Sequence, residues 1–228
     1  MIDTIQLYND DCLSVIDNLK LQWIPFEDIV FVSDPPFNVW YHYKTYNDKK
    51  EEWDYYEWLY QIFWNTPKVI IHYPEQMYKF AYQIWEFPEK VVSWVYNSNT
   101  PKQHRDIAFF WIMPDFTKSW QDYKNPTDKR VKKLIAQWKR ARLYDWREIQ
   151  QVKNVSKDKT KHPCQMPQLV MDRIIEILPE NKTIIDPFMW SGTTWIACKK
   201  LGRRFIWIEL DKEYFDIAKE RIENTSTT

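Results

Sequence analysis

Three features of the sequence predict an α/β fold with a mostly parallel, twisted sheet carrying helices on both faces. Short runs of β-branched and aromatic residues bounded by turn residues read as buried strands. Longer runs with apolar residues spaced near 3.6 read as helices, and the two kinds alternate along the chain. The 228 residues suit a single domain spanning 1–228.

In chain order, the spacing predicts strands over 28–33, 68–72, 90–96, 107–112, 183–185 and 205–208. Between them it predicts helices over 54–63, 74–84, 167–178, 193–201 and 212–223. In the helix from Pro167, the apolar residues Leu169, Val170, Ile174, Ile177 and Leu178 carry the period. No internal repeat and no low-complexity segment interrupts this order.

Lys and Arg equal Asp and Glu at 32 each, so the overall charge points to no polyanionic partner. The charge is instead local: residues 116–162 hold 14 Lys and Arg against 5 acids. A run of this kind is either a solvated surface or a nucleic-acid footprint. Cys12, Cys164 and Cys198 are odd in number and far apart, which fits neither a disulfide framework nor a paired-Cys zinc site. The four His show no ligand spacing, so no metal is expected. No apolar run approaches the roughly 18 residues of a membrane span, and a cytoplasmic protein is expected.

The strand at 28–33 runs into Asp34-Pro35-Pro36-Phe37. Two prolines fix φ and remove two donors, leaving the Asp34 carboxylate and the Pro35 carbonyl as acceptors with an aromatic plane beyond them. Such a corner suits a flat ring bearing an amino group: the amine donates to both acceptors while Phe37 stacks on the ring. An aryl amine is a poor nucleophile because its lone pair is delocalised. Two acceptors that favour a tetrahedral nitrogen localise the pair and stabilise the positive charge that develops. The plainer reading is a strand-ending turn in which Asp34 caps a helix.

A second strand-loop-helix runs from Thr183 through Asp186-Pro187-Phe188-Met189-Trp190-Ser191-Gly192-Thr193-Thr194. Loops of this type let backbone N–H groups approach a ligand, and the strand at 205–208 ends in Glu209, about 20 residues on, where a carboxylate meets ribose hydroxyls. The full dinucleotide glycine pattern is missing, so adenosine without pyrophosphate is the more natural ligand.

Together the corner at Asp34, His162-Pro163-Cys164-Gln165, the 186–194 loop and Glu209-Leu210-Asp211-Lys212-Glu213-Tyr214 resemble the amino-methylating DNA methyltransferases of the circularly permuted class, over about 3–222. In that class the catalytic corner precedes the target-recognition insertion and the cofactor loop comes last. The resemblance implies a Rossmann-like methyltransferase fold in which Asp34, Pro35, Pro36 and Phe37 hold a flipped base. Asp186, Pro187, Phe188, Ser191, Gly192, Thr193 and Thr194 would form the S-adenosylmethionine pocket, Glu209 would bind the ribose, and His162, Pro163 and Gln165 would close the site. Residues 116–161 fall at the target-recognition insertion, which makes Lys129, Arg130, Lys132, Lys133, Lys139, Arg140 and Arg142 the expected contacts to double-stranded DNA. The implied activity is methyl transfer from S-adenosylmethionine to adenine N6, with cytosine N4 as the alternative. RNA or a protein glutamine amide would suit a similar corner. A homodimer and a restriction endonuclease partner are compatible with the resemblance.

Phe37 stands where the pattern has Tyr and Met166 where Lys is common. A larger departure is Trp40, Trp190, Trp195 and Trp207, which stand where the pattern has Gly. Taken literally, a Trp in the cofactor loop fills the pocket or strains the turn, leaving a DNA-binding protein with a degenerate cofactor pocket. The chain has 14 Trp and 2 Gly, where average usage of about 7% would give roughly 16 Gly. Because UGA specifies Gly in some genetic codes and Trp in others, the expectation is that many of these Trp are Gly in the natural protein. Trp53, Trp64, Trp85, Trp111 and Trp138 are further candidates, whereas Trp58, Trp94, Trp120 and Trp146 read as genuine Trp.

Overall fold

The computed structural model describes residues 5–21, 25–40, 46, 48–152 and 165–224. Its first half runs β1 (Ile5–Tyr8), α1 (Cys12–Leu21), β2 (Ile29–Ser33), α2 (Glu52–Phe63), β3 (Lys68–His72), α3 (Pro74–Ile84), β4 (Lys90–Val95) and β5 (His104–Phe110). Then come β6 (Trp120–Gln121), α4 (Lys129–Ala136), β7 (Ala141–Arg142), β8 (Trp146–Glu148), α5 (Gln168–Glu176), β9 (Thr183–Asp186), α6 (Thr193–Lys200), β10 (Phe205–Ile208) and α7 (Lys212–Glu223). Each of the predicted strands and helices is present, with ends shifted by up to three residues.

Eight strands form one sheet in the order β1-β10-β9-β2-β3-β5-β4-β8. Pairing is parallel throughout except where β5 lies antiparallel between β3 and β4. Alternation along each strand sorts the core into two layers, because successive side chains leave a strand on opposite faces. Val30 and Val32 of β2, with Phe205 and Trp207 of β10, pack with α5, α6 and α7. Ile29 and Phe31, with Ile206 and Ile208, pack with α1, α2 and α3. Burial on both faces explains why these strands read as continuous apolar runs. Leu169, counted above in the apolar period of α5, is 48% exposed, whereas Val170 and Ile174 are buried.

Two local features went unread in the sequence. At the start of the chain, β1 and α1 add an outer strand and a helix; β1 takes its place by pairing with β10 at the far end of the chain, which only the tertiary fold supplies. The basic stretch divides: α4 and the β6–β7 ribbon stand apart from the main sheet, while β8 joins its edge beside β4. At the lower end of β3, buried Lys68 donates to Glu86 at 2.5 Å and to the carbonyls of Phe63 and Thr66, tying together the ends of α2 and α3.

Candidate active site

Asp34-Pro35-Pro36-Phe37 and the 186–194 loop leave the carboxyl ends of neighbouring parallel strands, β2 and β9. The chain crosses there from one side of the sheet to the other, so the loops diverge and leave a cleft, as open α/β sheets do at such points. Asp34, Asp186, Ser191, Thr193 and Thr194 line one cavity in it. An adjoining cavity is lined by Asp10, Asp11, Pro36, Glu209 and Tyr214. Phe188 and Trp190 line both.

Asp34 is buried, and burial pushes its carboxyl up to about 7; Arg105 beside it opposes the rise and Asp186 adds to it. The Arg105 guanidinium lies 3.6 Å from Asp34 Oδ2, while Oδ1 is buried with no hydrogen-bond partner among the described residues. A buried acceptor in that condition is costly and marks a place for a ligand donor. Phe37 packs at 4.8 Å from the His72 ring and 5.1 Å from Tyr73, and Arg105 lies over it at 4.5 Å.

A relay through buried Tyr55 and His72, anchored at half-buried Tyr73, fixes the backbone of the corner. The Tyr55 hydroxyl donates to the Pro36 carbonyl at 2.6 Å and lies 2.9 Å from His72 Nε2. Because the Tyr73 N–H donates to His72 Nδ1, the ring carries its proton on Nε2 and gives it to Tyr55. Burial, with Arg105 and Lys102 nearby, lowers His72 to about 3, so it stays neutral and the chain of donors runs one way. Downstream, Asp48 accepts from the N–H groups of Asn38 and Val39 at 2.8 and 3.0 Å and holds the loop leaving the corner.

In the 186–194 loop, Asp186 accepts from the Phe188 N–H at 3.1 Å and is buried; burial raises it to about 6 against the opposing bond from Thr194. Glu209 accepts from the Trp190 N–H and the Asp211 N–H, both at 2.9 Å; burial raises it to about 7, against the pull of those two bonds. Each carboxylate oxygen of Glu209 retains a lone pair for a ligand hydroxyl. Gly192 has φ +78° and opens α6, and a Cβ there would lie 3.2 Å from the Cβ of Ala218, so its lack of a side chain serves both the turn and the packing.

Of the residues expected at the site, Asp34, Pro36, Asp186, Pro187, Phe188, Ser191, Thr193, Thr194 and Glu209 line the paired cavities. Pro35 and Phe37, on either side of Pro36, are buried, and Gln165 is buried too. His162 and Pro163 lie outside the described residues. Trp195 and Trp207 are not in the loop: they sit in α6 and β10, 1% exposed, with rings 6.3 Å apart. Lys129, Arg130, Lys132, Lys133, Lys139, Arg140 and Arg142 are all exposed on α4 and the segment after it. No cluster among the described residues could hold a metal ion, and no helix among them is long and apolar enough to cross a membrane. Sequence reasoning missed Arg105, Tyr55, His72 and Asp48. Each comes from a strand, helix or loop other than β2, and nothing in its local sequence marks it.

A family model for DNA methylase of the N6/N4 type matches residues 29–220. The Type II methyltransferase M2.DpnII of Streptococcus pneumoniae is 47% identical over 77 residues, a stretch that spans 33% of this chain and only 29% of that protein. M.ScaI of Streptomyces caespitosus is 26% identical over 252 residues, covering 96% of this chain and 81% of that one. Among solved structures, the M1.HpyAVI–SAM complex is similar with a TM-score of 0.64 and 25% identity, over 96% of this chain and 98% of the other. The cytosine-N4-specific PvuII DNA methyltransferase, with a TM-score of 0.65 over 99% of this chain and 90% of the other, is 16% identical and shares the fold. With the match reaching from β2 to within α7, the chain belongs to the N6/N4 DNA methylase family.

Proposed function

We propose that this protein is a DNA amino-methyltransferase that uses S-adenosylmethionine and methylates adenine N6 in duplex DNA. One observation carries the reading: Asp34, with a buried carboxylate oxygen lacking a partner among the described residues, shares a cavity with the 186–194 loop of a DNA methylase. The corner precedes that loop in the chain, the order of the permuted class.

Asp34 and the Pro35 carbonyl accept the two protons of the exocyclic amine, drawing its nitrogen toward tetrahedral geometry. Arg105 favours the charged form of Asp34 against the opposite effect of burial, and Tyr55 and His72 keep the corner from shifting. Extruding the base from the duplex costs a few kcal/mol, which the exposed cations of α4 and the segment after it help offset by holding the backbone phosphates. The Type II names of the relatives support a restriction endonuclease as functional partner.

S-adenosylmethionine supplies an electrophilic methyl group on sulfonium. The carboxylates of Asp186 and Glu209, the hydroxyls of Ser191, Thr193 and Thr194 and the Phe188 ring have the chemistry to hold its ammonium, ribose and adenine. The Trp190 side chain does not fit, because it stands across the cleft between the two cavities.

The test is transfer of labelled methyl to duplex DNA of mixed sequence, followed by nucleoside analysis, for the chain as written and for a version with glycine at 40, 190, 195 and 207. N6-methyladenine from either supports the reading, and N4-methylcytosine corrects the base. DNA binding by both versions with neither transfer nor cofactor binding would leave a DNA-binding protein and overturn the proposal.

A further inference from the structure

Seven non-glycine residues among those described have positive φ: Asn38, Asn65 and the five tryptophans Trp40, Trp85, Trp111, Trp138 and Trp190, the last five between +51° and +64°. Asn tolerates this region. For a bulky residue it is an outlier, since the Cβ crowds the carbonyl that follows, and each such placement shifts the folding equilibrium unfavourably by about tenfold.

Three helices provide an internal comparison, for all three end in the same Schellman motif. At the end of α6, the Gly202 N–H donates to Lys199 O and the Arg203 N–H to Cys198 O. At the end of α3, Trp85 donates to Tyr82 O and Glu86 to Ala81 O; at the end of α4, Trp138 donates to Ile135 O and Lys139 to Leu134 O. The left-handed residue of this motif is ordinarily glycine. It is glycine after α6 and tryptophan after α3 and α4.

The tryptophan side chains gain little in exchange. Trp85 is 77% exposed and Trp138 95% exposed. Trp40 and Trp111 are 66% and 49% exposed; among the described residues Lys49 lies over the Trp40 ring and Lys68 over that of Trp111. At an exposed ring such as that of Trp40, a contact of this kind is weaker than the backbone cost. Trp190 differs: its backbone N–H donates to Glu209 and its indole Nε1 to the Asp34 carbonyl at 3.0 Å, so it reaches from Glu209 to Asp34 and, with Phe188, lines both cavities.

We propose that positions 40, 85, 111, 138 and 190 are glycine positions, that the natural polypeptide carries glycine there through UGA codons read as glycine, and that the change at 190 opens one continuous ligand cleft. The backbone singles out these five. It gives no such signal at Trp53, Trp64, Trp195 or Trp207, none of which has positive φ. The assignment stands on backbone geometry, and only its consequence for the cleft rests on the proposed function.

Peptide mass spectrometry of the protein from its source cells, read beside the gene, tests it without requiring the written chain to fold. UGA codons and glycine masses at the five positions are expected; UGG codons and tryptophan masses there would overturn it. In the recombinant chain, Trp138→Gly is expected to raise the unfolding midpoint and Trp138→Ala to raise it less, since neither removes buried surface. Equal midpoints would count against the backbone argument. Trp190→Gly is expected to tighten S-adenosylmethionine binding at least tenfold. Glycine found at all five positions in a natural chain that binds no S-adenosylmethionine would uphold the assignment and overturn the cleft and cofactor reading.

Discussion

Asp34 can accept from an amine only as the carboxylate, and its surroundings pull its charge in opposite directions. Burial and Asp186 favour the proton, Arg105 favours the anion, and the balance falls at about 7. On the proposed function, kcat/KM for methyl transfer is therefore expected to rise with pH through about 7 and then level. Arg105→Gln removes the opposing charge and should move that rise to higher pH, a shift that a merely structural defect would not produce. Asp34→Asn replaces an acceptor with a group that cannot take up the developing charge, and a loss of roughly a hundredfold in kcat is expected. Tyr55→Phe frees the Pro36 carbonyl and should lower kcat by about tenfold or less while KM for DNA changes little.

At the scale of elements, α4 is a short helix with a strong cap and a basic surface. Asp128 accepts from the Arg130 and Val131 N–H groups at 2.8 and 3.2 Å, so Asp128→Ala should cost about 1 kcal/mol of local stability. If α4 holds DNA phosphates, substituting Lys129, Lys132 and Lys133 together with Ala should flatten the salt dependence of DNA binding by up to about 3 in log–log slope. An unchanged slope in a fluorescence titration would remove α4 from the interface. The buried Lys68–Glu86 pair acts differently, because breaking it strands a charge between α2, β3 and α3. Glu86→Ala should cost about 3–5 kcal/mol by denaturant unfolding, whereas replacing both partners with apolar residues should cost much less.

For the molecule as a whole, the cleft imposes a pH dependence on stability. Asp34, Asp186 and Glu209 are raised to about 7, 6 and 7 by burial, while in the unfolded chain carboxylates titrate near about 4. Between those limits the folded state holds more protons than the unfolded state, so these three groups make stability fall as pH rises from about 4 to 7. Without ligand, the thermal midpoint should be lower at pH 8 than at pH 6, and Glu209→Gln should reduce the difference. A midpoint that rises across that range in both proteins would show that the cleft carboxylates do not dominate.

The alternation of buried strands with periodic helices was legible in the sequence because both faces of this sheet are covered: β2, β3, β9 and β10 carry apolar residues at successive positions and place polar ones, such as Lys68, His72 and Asp186, at their ends. The two site loops were legible for a related reason, since Asp34-Pro35-Pro36-Phe37 and Asp186 to Thr194 are continuous segments whose residue types already carry their chemistry. The sequence also showed that Trp and Gly were out of balance and named candidate positions, Trp40, Trp85, Trp111, Trp138 and Trp190 among them, but gave no backbone reason to separate these from the other candidates. All four of Trp85, Trp138, Trp195 and Trp207 were candidates from the sequence; Trp195 and Trp207 lie in regular helix and strand, while Trp85 and Trp138 end two helices in the left-handed conformation. Tertiary structure alone decided that Arg105 from β5, Tyr55 from α2 and His72 from β3 meet the corner, and that Trp190 stands between Asp34 and Glu209. Residue type and spacing are local properties of the chain, but a contact between side chains far apart in sequence exists only once the sheet has set its strand order.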